Sequence, residues 1–241
     1  MTWPEVTERS AATLLVVPLG STEQHGPHLP LSTDTDVAVA LADRLAANRP
    51  DAVVAPALAY GSSGEHAGFA GTLSIGQEVL EAVVVELVRS ADAFAAVLLV
   101  STHGGNAIPL HRAVRTLLEE GRRVRAWPPP PGGHPPGGHP PGGHPPGGLA
   151  AEKAETVITH AGRTETSLAL ALHPERVRLD LAEAGDTRPL AELWRSLRSG
   201  GMAAVSPNGV LGDPTGASPA EGRRQLAEWT AALEADIAGW P

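Results

Sequence analysis

The stretch from Gly20 to Asp36 reads GSTEQHGPHLPLSTDTD, and it directly follows the apolar run TLLVVPL, from Thr13 to Leu19. A short continuous apolar run that ends at a glycine is typical of a strand buried on both faces. Glycine and proline exclude a helix through the middle of the stretch that follows, so it predicts a strand that runs into a convoluted loop. We therefore expect a sheet with this loop at one of its edges.

The loop carries side chains of the types that bind metal ions. Glu23 and His25 are two residues apart, so in an extended segment both side chains point the same way and can meet one metal site together. Asp34 and Asp36 repeat that spacing after a proline-containing turn. We expect Asp36 to lie at the start of a helix, and His28 to support the loop or a metal ligand.

The rest of the chain alternates short apolar runs with amphipathic segments. Strands are predicted at 52–57, 95–100 and 122–126, and helices at 36–47, 77–93, 107–120, 191–198 and 219–238. The segment 159–172 is predicted to be a glycine-containing turn that leads into a helix. Asp34 or Thr35 is the expected cap of the first helix. The second helix, predicted at 77–93, should bury one face, formed by Val79, Val83, Leu87 and Ala91. Turn residues at 202–218 predict a structured surface loop.

This alternation predicts the α/β class, as a three-layer sandwich with a mostly parallel sheet and helices on both of its faces. In such folds the functional loops gather at the carboxyl ends of the strands. The segment with Glu23 and His25 and the segment THGGN, which contains His103, each follow a predicted strand. We therefore expect these side chains to meet at one edge of the sheet.

Composition narrows the function classes. A chain of 241 residues with 42% hydrophobic content is expected to form a single domain, and its net charge of −9 disfavours nucleic acid as a partner. Without cysteine, metal ligands must be histidine and carboxylate. The N-terminus lacks the pattern of a signal peptide and no apolar run is long enough to cross a membrane, so we expect a cytoplasmic protein without membrane partners.

The segment 128–148 interrupts the pattern with PPPPGGHPPGGHPPGGHPPGG. Its five-residue period lacks the glycine at every third position that a collagen helix requires, and a disordered, polyproline-like insertion is the interpretation that we prefer. His134, His139 and His144 leave a weak metal-collecting role as the alternative. Five extended residues span about 15 Å, which is too far for a rigid shared site.

The side chains with the clearest chemical potential are Glu23, His25, Asp34, His103 and Glu165, with His160 nearby. Two histidines and three carboxylates suit a hydrolytic site with two metal ions, in which a carboxylate bridges the ions. Each ion would have three protein ligands and an open position. The competing interpretation is that each residue only caps a helix or satisfies loop backbone.

Five segments of the chain resemble the creatininase family of metal-dependent amidohydrolases: PLGSTEQHGPHLPLSTDTD, YGSSGEHAGFAGTLS, STHGGN, HAGRTETS and SPNGVLGDPTGAS. The resemblance implies metal ligation by Glu23, His25, Asp34 and His103, with Asp34 bridging two divalent ions, and we select Glu165 as the remaining ligand. It implies that His160 is the general acid on the leaving nitrogen. It also implies a homo-oligomer, a hexamer or similar.

One departure bears on the substrate. Family members that open creatinine carry a glutamate ligand where this chain has Gly105. The whole-chain resemblance is instead to the branch of the mycofactocin system, which releases a cross-linked, Val-Tyr-derived dipeptide from the C-terminus of a modified precursor peptide. That branch implies Zn²⁺ and Fe²⁺, with Mn²⁺ as a third option. Two alternatives remain: a small-molecule amidohydrolase acting on a cyclic amide or formamide, and a His-rich metal-storage protein. Two roles stay open for Glu65 and His66: contact with the substrate, or packing within their own loop.

Overall fold

Four short strands form one parallel sheet at the centre of the computed structural model, which describes residues 2–128 and 160–241. The strands are β1 Leu14–Leu19, β2 Ala52–Val54, β3 Ala96–Ser101 and β4 Val124–Trp127. Their order is β2-β1-β3-β4, and all three pairings are parallel. β1 and β3 are the central strands, and every residue of β3 is buried. The four predicted strands are thus confirmed, with ends that differ by a few residues.

The described residues form seven α-helices, five of which cover the two faces of this sheet. They are α1 Trp3–Arg9, α2 Thr33–Asn48, α3 Gln77–Arg89, α4 Ala107–Glu119, α5 Arg163–Leu172, α6 Leu190–Gly200 and α7 Pro219–Asp236. Because side chains alternate along a strand, Leu14 and Val16 of β1 face α2, α5 and α7, whereas Val17 and Leu19 face α3 and α4. The α/β three-layer sandwich is therefore confirmed.

The buried face of α3 differs from the expected one. Leu80, Val84 and Val88 are buried, whereas Val79 is 53% exposed. Both sets of residues repeat every four positions, and the segment also contains the adjacent apolar residues 82–85. Helical period alone therefore could not select the face, and packing on the sheet and on α4 decides it.

Two further expectations about the loops need correction. α2 begins at Thr33, so Asp34 and Asp36 lie in its first turn and Asp34 is not its cap. The side chain of Asp34 points into the molecule instead, where it accepts a hydrogen bond from Ser21 Oγ at 2.5 Å. Main-chain hydrogen bonds join Leu211 to His160, and both are buried, so the segment 202–218 is only partly a surface loop.

The predicted His-Pro-Gly insertion at 128–148 lies outside the described residues except for Pro128. Among the helices that the structure describes, none combines the length and apolarity that crossing a bilayer requires.

Candidate metal centre

The candidate ligands gather at the carboxyl edge of the sheet. β1 and β3 are paired to their last residues, Leu19 and Ser101, so the loops that carry Glu23 and His103 leave the sheet side by side. Asp34 is delivered by the first turn of α2, and Glu165 by the first turn of α5. The parallel topology thus brings together side chains that are far apart in sequence.

One group consists of Glu23, Asp34 and His103, each of which offers a ligand atom within 4.8 Å of the others. His103 Nε2 lies 3.3 Å from Glu23 Oε2, and His103 Nδ1 lies 3.4 Å from Asp34 Oδ2. All three side chains are buried. Three ligands of these types are what one divalent ion requires in a catalytic site.

A second group consists of His25, His160 and Glu165. His25 Nε2 lies 3.5 Å from Asp34 Oδ1 and 3.9 Å from Glu165 Oε2. Asp34 therefore directs one carboxylate oxygen to each group. Glu23 and His25 fall in different groups, although the spacing of two had assigned them to a single metal site. The strand β1 ends at Leu19, so the segment from Glu23 to His25 does not continue as a regular strand.

Unpartnered buried atoms test whether this centre fits a metal ion. Among the described residues, neither oxygen of Glu23 nor Nε2 of His25 has a hydrogen-bond partner, and all three atoms are buried. A buried carboxylate without donors is costly, and a cation between the groups would offset that cost. The donor set of imidazole nitrogens and carboxylate oxygens suits Zn²⁺ or Fe²⁺.

The second nitrogen of each candidate histidine ligand is held by main chain. His25 Nδ1 lies 3.2 Å from the carbonyl oxygen of Glu23, and His103 Nε2 lies 2.9 Å from that of Ser62. A carbonyl only accepts, so these nitrogens donate, and the opposite nitrogens face Asp34, where they would present lone pairs to a metal ion once it replaces their protons. The rings are oriented as metal ligands before any ion binds.

The charges of the cluster favour a positive occupant. Burial alone would lower the pKa of His25, but Asp34 and Glu165 raise it to about 10. Burial likewise opposes charge on His103, whose pKa Glu23 and Asp34 raise to about 10. Burial raises the pKa of Glu165 to about 7. In the metal-free protein, protons on the two imidazoles compensate the carboxylates, and a metal ion would replace those protons.

His160 belongs to the second group and also lies close to Glu23 of the first. Its Nε2 is 2.8 Å from the carbonyl oxygen of Gln24, and its Nδ1 is 3.8 Å from Glu23 Oε1. Burial, together with the nearby His25 and His66, holds the pKa of His160 well below its usual value. The ring is therefore neutral, and its free nitrogen faces the cluster.

The remaining candidates have distinct positions. Asp36 lies outside both groups and pairs with Arg176 at 3.1 Å. His28 Nε2 lies 2.9 Å from Thr166 Oγ1 and so ties the loop to α5. His66 is buried, with Nε2 3.3 Å from Glu23 Oε1, so it packs against the cluster rather than only within its own loop.

Gly105 has no room for a side chain. A Cβ atom there would lie 2.2 Å from the carbonyl oxygen of Ser62 and 2.5 Å from His103 Nε2. Glu65 Oε1 would be 2.6 Å from the same position, and it lies 3.9 Å from His103 Nε2. The carboxylate of Glu65 thus occupies the space beside His103 that a longer residue at position 105 would need.

Comparison with known proteins gives the family. A family model described as "Creatininase: Creatinine amidohydrolase" matches residues 1–237. The chain belongs to the creatininase family. A creatininase in which one tryptophan is replaced by phenylalanine superposes with a TM-score of 0.75, at 25% identity over 99% of this chain and 96% of that one.

Two curated relatives in the creatininase family differ in their named activities. The "Mycofactocin precursor peptide peptidase" of Mycobacterium ulcerans is 45% identical over 99% of this chain and 86% of its own length. The "Creatinine amidohydrolase" of Pseudomonas putida is 30% identical over 75% of this chain and 73% of its own length. Creatininase-family membership makes this chain a metal-dependent hydrolase of amide or peptide C–N bonds.

Sequence reasoning missed one residue of the centre, Gln24. It stands between two candidate ligands in the EQH motif, and strict strand alternation would have pointed it away from them. The side chain is buried, and its amide nitrogen lies 2.8 Å from His66 Nδ1. Its position directly between Glu23 and His25 was the only available signal.

Proposed function

We propose that this protein hydrolyses a C–N bond of the modified mycofactocin precursor peptide and releases the C-terminal cross-linked, Val-Tyr-derived dipeptide. The observation that carries the reaction type is the position of Asp34, whose two oxygens face two different ligand groups. The 45% identity to a precursor peptide peptidase over nearly the whole chain supports the substrate.

Five side chains are the proposed metal ligands. Glu23 and His103 would hold one divalent ion and His25 and Glu165 would hold the other, with Asp34 as the ligand that both would share; Zn²⁺ and Fe²⁺ are the proposed pair, with Mn²⁺ as an alternative. Ions held there supply Lewis-acid activation of the scissile carbonyl and of water. The buried positions of the ligands keep the centre in a medium of low dielectric constant, where such activation is strongest.

His160 is the proposed general acid. An amine anion is too unstable to leave, so a proton must reach the nitrogen as the C–N bond breaks. The Nε2 proton of His160 is held by the carbonyl of Gln24, so Nδ1 is the nitrogen that would exchange protons. Nδ1 carries no proton in the neutral ring, so it would first accept the proton that the attacking water loses and then deliver that proton to the leaving nitrogen. Nδ1 faces the cluster beside Glu23, where the scissile bond must lie.

The test is a cleavage assay with the modified precursor peptide and the purified, metal-loaded protein. Mass spectrometry should detect the cross-linked dipeptide and the shortened precursor in equal amounts. The Asp34→Ala variant serves as the inactive control, and the unmodified precursor tests whether the cross-link is required. Intact modified peptide after incubation with protein that contains two ions per chain would refute the proposed substrate.

A small-molecule amidohydrolase is the second candidate, and the 30% identity to a creatinine amidohydrolase favours it. The close packing at Gly105 counts against it, because the glutamate that creatinine-opening members carry there does not fit. Creatinine turnover by the same preparation discriminates the two. We expect none, and turnover of creatinine faster than that of the peptide would reverse the assignment.

Family membership also supports assembly into a homo-oligomer, a hexamer or similar. Light scattering coupled to size-exclusion chromatography measures the mass directly, and the mass of a single 24.8 kDa chain would contradict assembly.

A further inference from the structure

We propose that Gln24 is a positioning residue that fixes the tautomers of two histidines around Glu23. This inference deepens the proposed function, since it concerns the same site, but it rests on hydrogen bonds that are defined without substrate. Among the described residues, the side chain of Gln24 makes no hydrogen bond to any of the five proposed metal ligands. It acts through His66 and His160.

The orientation of the Gln24 amide is determined by its partners. The main-chain N–H of Gly26 can only donate, and it lies 2.8 Å from Gln24 Oε1. The carbonyl of Gly209 can only accept, and it lies 3.1 Å from Gln24 Nε2. Oxygen and nitrogen of the amide are therefore assigned by two independent contacts.

This orientation determines where His66 carries its proton. The amide nitrogen of Gln24 only donates, and it lies 2.8 Å from His66 Nδ1. Nδ1 must accept, so the ring proton is on Nε2, which lies 3.3 Å from Glu23 Oε1. With a proton on Nε2, His66 cannot complete a third metal site with Glu23 and His160, although the three side chains lie close enough to do so. His66 instead places its Nε2–H beside the Glu23 carboxylate, in a contact that does not have hydrogen-bond geometry.

The same residue fixes His160 through its main chain. His160 Nε2 lies 2.8 Å from the Gln24 carbonyl, so Nε2 carries the proton. The two amide hydrogens of Gln24 are used by His66 and Gly209, so the 3.1 Å approach of Gln24 Nε2 to His160 Nε2 is a packing contact between two N–H groups. His160 Nδ1 consequently faces the cluster with its lone pair.

Gly209 makes room for this arrangement. It has φ +75°, and a Cβ atom there would lie 1.9 Å from Gln24 Oε1. Any side chain at this position would displace the amide. The segment around Gly209, which sequence analysis placed on the surface, thus forms the wall that holds Gln24 in place.

Tautomers can be measured directly in the zinc-loaded protein by long-range ¹H–¹⁵N spectra of ring-labelled histidine, with His66→Gln and His160→Gln used for assignment. Both rings of the wild type should carry a proton on Nε2 alone. In Gln24→Glu, a carboxylate oxygen that accepts hydrogen bonds replaces the amide nitrogen that donates to His66 Nδ1. His66 should therefore gain a proton on Nδ1. In Gln24→Leu, His66 should lose its single tautomer.

Activity gives the second readout. Loss of a partner that orients site residues typically costs about 10- to 100-fold, so Gln24→Leu should lower kcat by that factor with KM and metal content nearly unchanged. Gln77→Leu, at an exposed glutamine, is the matched control and should change nothing. Gly209→Ala should reproduce the Gln24→Leu spectrum without altering the chemistry of Gln24.

A wild-type His66 that carries its proton on Nδ1 would overturn the inference, even if Gln24→Leu fails to fold. Unchanged tautomers and turnover in folded Gln24→Leu would overturn it as well. The spectra need no substrate, so the two proposals fail separately. Correct tautomers in a protein that leaves the peptide intact would refute the substrate and retain the role of Gln24.

Discussion

Asp34 is the residue on which the proposed two-ion arrangement depends. It lies 3.5 Å from His25 through one oxygen and 3.4 Å from His103 through the other. No other carboxylate among the described residues contacts both of these imidazoles through different oxygens.

We expect Asp34→Ala to remove both metal ions, whereas His103→Ala should chiefly weaken one, because only a bridging ligand is shared. Elemental analysis of the purified variants measures this. Asp36→Ala is the matched control in the same helical turn and should retain two ions per chain. Two ions and normal activity in Asp34→Ala would show that the bridging assignment is wrong.

His160 makes a prediction in which activity and metal content separate. Replacing it with glutamine or alanine removes the proposed proton donor and should lower turnover by about 10²- to 10⁴-fold, with metal content near that of the wild type. Because His160 also belongs to the group with His25 and Glu165, metal loss in both variants would identify it as a ligand. Near-normal turnover in both would exclude the general-acid role.

Among the secondary-structure elements, α7 determines the position of α5 through a close helix–helix contact. Gly222 of α7 packs so closely on α5 that a Cβ atom there would lie 1.9 Å from the carbonyl oxygen of Ser167. Ser167 is two residues from Glu165, so this helix contact fixes the position of a candidate ligand. The shape of an element far from the reaction thereby contributes to the geometry of the centre.

Gly222→Ala should destabilise the protein. Overpacking costs about 1–3 kcal/mol, which exceeds the gain of about 1 kcal/mol in helix propensity. Denaturant unfolding measures the difference, and Arg224→Ala, at an exposed position of the same helix, should stay within about 0.5 kcal/mol of the wild type. A more stable Gly222→Ala variant would mean that the two helices separate easily.

For the whole molecule, the metal ions should contribute to stability. A ligand that binds only the folded state at about 100 times its Kd stabilises that state by about 2.7 kcal/mol, and the unpartnered Glu23 oxygens add to the cost of the empty site. A chelator should therefore lower Tm, and added Zn²⁺ should restore it. In the Asp34→Ala variant, the chelator should change Tm little. If it lowered Tm as much as in the wild type, the stabilising ions would have to bind elsewhere.

The His-Pro-Gly segment provides the test between an enzyme and a metal-storage protein. All six candidate site residues lie outside 128–148, so deleting that segment should leave two ions per chain and near-normal turnover. Elemental analysis and the peptide assay on the deletion variant measure both. Loss of most of the bound metal would favour the storage alternative.

The sequence by itself determined the fold class and the identity of the metal-ligand types. Continuous apolar runs predicted β1, β2 and β3, because burial on both faces favours that pattern. β4 was predicted at 122–126, directly after a helix that ends at Gly121. The absence of cysteine limited the ligands to histidine and carboxylate. The order of strands and helices also predicted that Glu23 and His103 would share one edge, since adjacent parallel strands end together.

Only the tertiary structure decided which residues face one another. Local period could not choose between Val79 and Leu80 as the buried face of α3, because both repeat at helical spacing and the sheet selects one. Glu23 and His25 fall in different ligand groups because their partners come from distant segments, which spacing cannot show. His66 and Gln24 are 42 residues apart in the sequence, and only the fold brings their side chains into contact. The proposed position of the ring proton of His66 depends on that contact.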